Sequence, residues 1–144
     1  MTIWTEPDWL DYANRKAKET LNASLGIVLT ELGPDYVKGR MPVDERTRQP
    51  AGVLHGGASV AFAETLASWA GCFAVDRTRF HCVGMEINAN HVRPATGDHV
   101  EGTAAPEMIG RRSHVWSVRI RDPQGKLVCV SRVTLAVLEV PSRY

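Results

Sequence analysis

Between Arg48 and Asp76 the chain carries a single charged side chain, Glu64. It stands in a run of apolar and small residues from Val53 to Gly71, where Ala58, Ala61, Ala63, Leu66, Ala67 and Ala70 favour a helix. From Gly56-Gly57 to about Val75 this run is too long for an ordinary strand, so one long helix is predicted. Apolar residues fall on almost every face of it, and a helix of that kind is wrapped by other structure on most sides. Its alanines allow a sheet to approach closely. A carboxylate carried into such surroundings must be paired, protonated or put to use, because an uncompensated charge in an apolar interior costs several kcal/mol or more.

The rest of the chain supplies the wrapping. Gly26 to Thr30 and Tyr36 to Val43 are strand-like runs separated by Gly33-Pro34-Asp35, which is turn chemistry, so they form a hairpin. Polar Asp44 to Gln49 is a loop. After the helix come His81 to Val92, His99 to Glu107, and a long hairpin of Ser113 to Arg121 and Lys126 to Glu139 about Asp122-Pro123-Gln124-Gly125. In the first of these, alternation puts Val83, Met85, Ile87 and Ala89 on one face and Cys82, Glu86, Asn88 and Asn90 on the other. Leu135 to Leu138 is apolar on both faces, as in an interior strand. Asp8 to Leu21 is predicted as one amphipathic helix with Pro7 near its start, lying as a flap over the remainder. The order implies an α+β fold, one curved antiparallel sheet around one helix.

With 144 residues and 44% hydrophobic side chains, a single domain (1–144) with one core is expected. Its 17 basic and 16 acidic groups are scattered, which argues against nucleic acid and leaves room for a small anionic ligand. No window reaches the ~20 apolar residues of a membrane span, and Met1 to Asp8 has no signal core, so a cytoplasmic protein without membrane partners is expected. Cys72, Cys82 and Cys129 are odd in number and unpatterned, which suits reduced, mostly buried thiols and not a metal site.

Ser68 lies four positions after Glu64, on the same helical face, where its hydroxyl either holds a water beside the carboxylate, donates to the carboxylate itself, or bonds back to the carbonyl of residue 64. At the helix start, His55-Gly56-Gly57 offers unpaired amides and the positive end of the dipole to a developing oxyanion. Alternatively the glycines only shape the entry, and His55 caps or packs. Gly56 and Glu64 are about 12 Å apart along the axis at ~1.5 Å per residue, too far to meet on one carbonyl. Two antiparallel copies of the helix in a two-fold dimer would set Gly56 of one against Glu64 of the other.

Met41-Pro42-Val43-Asp44 through Gln49-Pro50, Leu54-His55-Gly56-Gly57-Ala58-Ser59, Ala63-Glu64-Thr65 and Gly84-Met85-Glu86-Ile87-Asn88-Ala89-Asn90-His91 closely resemble hotdog-fold acyl-CoA thioesterases. The nearest are the dihydroxynaphthoyl-CoA and enterobactin-proofreading types, with phenylacetate-pathway and Arthrobacter-type hydroxybenzoyl-CoA enzymes further off. The resemblance runs from about Leu25 to Glu139, leaving a helical flap (1–24) and the tail from Val140 to Tyr144 outside it. It implies the hotdog fold, hydrolysis of an acyl-CoA with an aromatic or hydroxyaromatic acyl group, and no metal or redox cofactor. Glu64 is then nucleophile or general base. Gly56 and Gln49 polarise the thioester oxygen, His55 orients the thioester, Ser68 positions water, and His91 meets a ring hydroxyl.

By the same resemblance the coenzyme A arm is held by Gly84, His91, Val92 and Arg93 and by the turn of Met108, Ile109, Gly110, Arg111, Arg112 and Ser113. On composition alone that turn is an ordinary solvated one. Trp69 departs from the smaller apolar residue of the resembled enzymes, and either shapes the acyl pocket or packs in the core. The resemblance further implies a homodimer at minimum and a homotetramer of two dimers. The competing readings are a hotdog dehydratase and a non-catalytic acyl-CoA-binding module.

Overall fold

In the computed structural model, which describes residues 1–141, two short helices precede the sheet: α1 (Trp9–Lys16) and α2 (Leu21–Leu25). The last three residues of the tail lie outside the described residues. The single helix expected over Asp8 to Leu21 is therefore broken. Glu19 takes a left-handed backbone (φ 61), and Thr20 turns extended to start α2, while Gly26 (φ 70) ends it with its N–H on Ala23 O. Because Gly26 serves as that helix end, the first strand starts later than the run Gly26 to Thr30 suggested. The flap is fastened down: Asn14 donates to Leu29 O (2.8 Å) and accepts from Leu29 N–H (2.9 Å).

Six strands follow, β1 (Val28–Leu32), β2 (Val37–Pro42), β3 (Phe80–His91), β4 (His99–Ile109), β5 (Ser113–Arg121) and β6 (Leu127–Glu139), with helix α3 (Gly56–Phe73) between β2 and β3. They form one antiparallel sheet in the order β1-β2-β4-β5-β6-β3. Its inner face curves around α3. The β5–β6 turn is closed by Asp122 Oδ1, which accepts from Gln124 and Lys126 N–H, and by Gly125 in the left-handed region (φ 81).

Close approach of helix and sheet depends on glycine more than on the helix alanines alone. Gly39 and Gly102 are register partners on β2 and β4, and a methyl group at either would sit 2.6 Å from a Leu66 methyl and crowd Phe62. Phe62, Leu66 and Phe73 are fully buried with Trp116, Ile120 and Leu135. At the far end of α3 an aromatic cluster closes the curl: Trp9 stacks on Phe73 (5.1 Å) and Trp4 on Trp116 (6.3 Å), with Trp4 Nε1 donating to Gly33 O at 2.5 Å.

Two expectations are corrected. The alternation on β3 changes phase, because Gly84 pairs with Leu135 and Glu86 with Thr134, leaving Met85 as an extra, bulged residue. Before the bulge Cys82 faces the helix and Val83 is exposed; after it Ile87 and Ala89 pack on the core. Met85 itself is 67% exposed. Second, α3 is not wrapped on most sides. Val60, Ala61, Glu64, Thr65, Ser68, Trp69 and Cys72, three and four apart, form a half-buried stripe, so Glu64 is a half-buried carboxylate at an open face and not an interior charge.

Candidate active site

The segment between β2 and α3 is held rigidly by its own backbone. Thr47 is buried, its Oγ1 donating to Pro42 O (2.7 Å) and accepting from Asp44 N–H, while its carbonyl accepts from His55 N–H (2.8 Å). Gln49 and Val53 close the next turn, in which Gly52 has φ 86. Within it Gln49 Oε1 accepts from Ala51 N–H at 2.5 Å, and the other end of the carboxamide, its NH₂, makes no hydrogen bond among the described residues.

His55 is the N-cap of α3, extended at φ −68 and ψ 130, with Nδ1 accepting from Gly57 N–H at 2.8 Å. An accepting Nδ1 requires the ring proton on Nε2. Its carbonyl receives Ala58 and Ser59 N–H, and among the described residues no hydrogen bond uses the Gly56 N–H. That free amide lies at the positive end of an 18-residue helix. Gln49, Gly56, His91, Val92 and Arg93 line one cleft of about 340 Å³. A methyl group at position 56 would sit 2.9 Å from His91 Nε2, so glycine is what lets the ring lie there.

Two turns of helix further on, Glu64, Ser68 and Trp69 line a second cleft of about 310 Å³, with Leu21, Asn22 and Thr65. Glu64 Oε1 rests over Gly84, where a methyl group would come within 2.5 Å of it. Ser68 makes no back-bond to residue 64; it is Thr65 that bonds back, to Ala61 O at 2.8 Å. Trp69 both lines the cleft and packs, stacked on Phe73 (5.7 Å) and edge-on to Tyr12 (6.1 Å).

The β4–β5 turn is tight, with Gly110 N–H on Ser113 O and Val137 N–H on Arg112 O, both 2.9 Å; Met108, Ile109, Arg111 and Arg112 are exposed. Ser113 pairs with Ala136, which pairs with Val83, so this turn lies at the Glu64–Gly84 end of the sheet. Val92 and Arg93 lie at the other end, held to Val128 O and Leu127 O. Gln49, Gly56, His91, Val92 and Arg93 are thus brought together, with His55 beside them, and Glu64, Ser68, Trp69 and Gly84 form a separate group. Gly56 and Glu64 line two different clefts of the chain.

A helix opening on a free glycine amide beside a carboxamide donor, with a half-buried carboxylate two turns on, is a frame for acyl chemistry. The family model described as the thioesterase superfamily matches residues 51–129, more than half the chain and the whole of α3. The chain belongs to the thioesterase superfamily. This thioesterase is 48% identical to the Vibrio cholerae protein VC_A0580 over 95% of its own length and 91% of the relative's. It superposes on a Q49A variant of the thioesterase PA1618 of Pseudomonas aeruginosa with a TM-score of 0.94, at 39% identity over 96% of this chain and 100% of that one. The thioesterase HI1161 of Haemophilus influenzae gives the same TM-score at 40% identity, covering 99% of both chains. A glutamate variant of the Staphylococcus aureus protein SAV0944 aligns at 34% identity over 83% of this chain and 99% of that one, with a TM-score of 0.80. The fold is the hotdog fold, and thioester hydrolysis is the class of activity.

Asn22 and Thr65 also line the Glu64 cleft, and neither stands out in the sequence as a candidate. A signal for the helix that carries Asn22 is present in the spacing of Thr20 and Gly26, an N-cap and a C-terminal glycine that bracket five helical residues.

Proposed function

We propose that this thioesterase hydrolyses acyl-CoA, with an aromatic or hydroxyaromatic acyl group preferred, in sites shared by two copies of the chain. The observation that carries the reading is the separation of Gly56 and Glu64 into two clefts on one helix, each with half of the machinery. The thioester oxygen accepts from the Gly56 N–H and the Gln49 NH₂ of one subunit, and the outward Nε2–H of His55 orients the thioester. Glu64 of the other subunit either attacks the carbonyl carbon, expelling the CoA thiolate and leaving an anhydride for water to cleave, or takes a proton from the attacking water. Ser68, one turn along the open stripe, holds that water. In both routes negative charge builds on the oxygen at the helix N-terminus, where preorganised donors have most effect.

Support for the pairing of Gln49 with Glu64 comes from the relatives: SAV0944 of S. aureus is also known as a glutamine variant (34% identity over 81% of this chain, TM-score 0.78), and its replaced glutamine and glutamate lie fifteen positions apart, the separation of Gln49 and Glu64 here. Support for the shared site comes from surface chemistry. β3 is a 12-residue edge strand with Met85 and Val83 exposed, a poor surface to leave in water, and the half-buried stripe of α3 runs beside it. Pairing β3 with its copy would bring the two helices antiparallel and extend the sheet; two such dimers make the proposed homotetramer. The CoA arm then draws on Arg93 and Val92 of one subunit and on the Met108 to Ser113 turn of the other, where guanidinium groups suit phosphate. Residues 25–139 act as the catalytic core of one domain, and 1–24 roof its acyl end.

Replacing Glu64 by Gln keeps size and removes charge. Release of free thiol from benzoyl-CoA should fall by about 10²-fold or more. Near-normal turnover by that variant would overturn the assignment.

A further inference from the structure

The Glu64 cleft contains a polar pair on the side away from β3. The Thr65 hydroxyl lies 2.8 Å from Ala61 O and 3.1 Å from the near end of the Asn22 carboxamide; it gives its one proton to one of them, and the contact fixes that end of the carboxamide against the helix. Asn22 is itself held by the backbone, since its carbonyl accepts from Ile27 N–H at 2.8 Å where α2 ends. The other end of the carboxamide makes no hydrogen bond among the described residues, and Asn22 lines the cleft that holds Glu64, Ser68 and Trp69; a hydroxyl, which both donates and accepts, can pair with either amide end there. Asn22 is half-buried, so once substrate displaces water an unmatched amide there is a cost, and a matched one is a source of selectivity.

We infer that Asn22, positioned by Thr65, is a specificity residue that recognises a hydroxyl group on the acyl part of the substrate. This rests on reading the Glu64 cleft as the acyl site. A neutral oxygen fits better than a second carboxylate, because Glu64 lines the same cleft and like charges at such range repel. Ala61 and Ser68 leave room over the helix, while the Trp69 indole, fixed between Tyr12 and Phe73, limits the length beyond. A single hydroxylated ring lying between Trp69 and Asn22, with its carbonyl toward Glu64, satisfies every group named.

The test compares benzoyl-CoA with its three monohydroxy isomers, measuring kcat/KM by thiol release for the native protein, Asn22→Ala, Thr65→Val and Thr65→Ser. Asn22→Ala should lower kcat/KM for at least one hydroxybenzoyl isomer by about 10-fold or more and leave benzoyl-CoA within about 2-fold, because only the hydroxyl loses its partner. Thr65→Val should reproduce that selective loss, and Thr65→Ser should restore it. An equal fall on all four substrates, which a purely structural Asn22 would give, overturns the inference, as does an unchanged hydroxyl preference. Failure of the native protein to cleave any of the four overturns both this inference and the aromatic reading on which it rests. Turnover with E64Q inactive and Asn22→Ala unselective overturns this inference alone.

Discussion

Gly84 has no side chain where the Glu64 carboxylate rests. Gly84→Ala therefore pushes the carboxylate aside while keeping the backbone pairing of β3 with β6. A misplacement of about 1 Å in a reacting group costs on the order of 10²-fold, so kcat should fall steeply while the urea midpoint moves little; unchanged kcat would show that Glu64 has no fixed seat. His114 makes a different prediction. It is 1% exposed, its Nδ1 has no hydrogen-bond partner, and burial holds its pKa below the ordinary histidine value. As the pH falls below ~6.5 the unfolded chain thus takes up a proton that the folded chain refuses until lower pH, and stability present above ~6.5 is lost over that interval. Urea titrations from pH 8 to 5 should show this fall, and His114→Phe should flatten part of it. At this scale the sequence was informative about identity and poor about environment. Glu64 stood out as a lone charge, but its half-exposure was hidden, because a run of alanines does not say which stripe of a helix lacks a neighbour.

Among the elements, β2 and β4 each present a glycine to the large side chains of α3. Gly39 and Gly102 face each other under Phe62 and Leu66, and Gly102→Val forces branched bulk into a filled space. Its cost should be about 1–3 kcal/mol, read as a lowered urea midpoint, and a neutral outcome would mean that helix and sheet are not in close contact. Element order was legible because turn residues such as Gly33-Pro34-Asp35 and Asp122-Pro123-Gln124-Gly125 punctuate it. The phase of β3 was not: a bulge at Met85 inverts every side chain beyond it, and its only trace is the glycine before it. Nor was the break in the flap, since Glu19 in a left-handed conformation is set by the packing of α1 and α2 on the core and not by any local preference.

For the whole molecule, the arithmetic of a helix predicts more than the resemblance does. Gly56 and Glu64 are separated by eight residues of one helix, and the clefts they line are distinct, so the proposed site, which uses both, needs two chains. Sedimentation at assay concentration should find a dimer or a tetramer of two dimers, and a fully active monomer would contradict this. The most direct measurement uses two disabled variants, Glu64→Gln and Gln49→Ala, purified separately, then unfolded, mixed in equal amounts and refolded together. In a shared-site dimer each mixed pair has one doubly damaged site and one intact site. Random pairing then restores about a quarter of native activity from two nearly inactive proteins. If each chain built its own site, every site in the mixture would carry one lesion, activity would stay at the average of the two variants, and the shared-site account would be wrong.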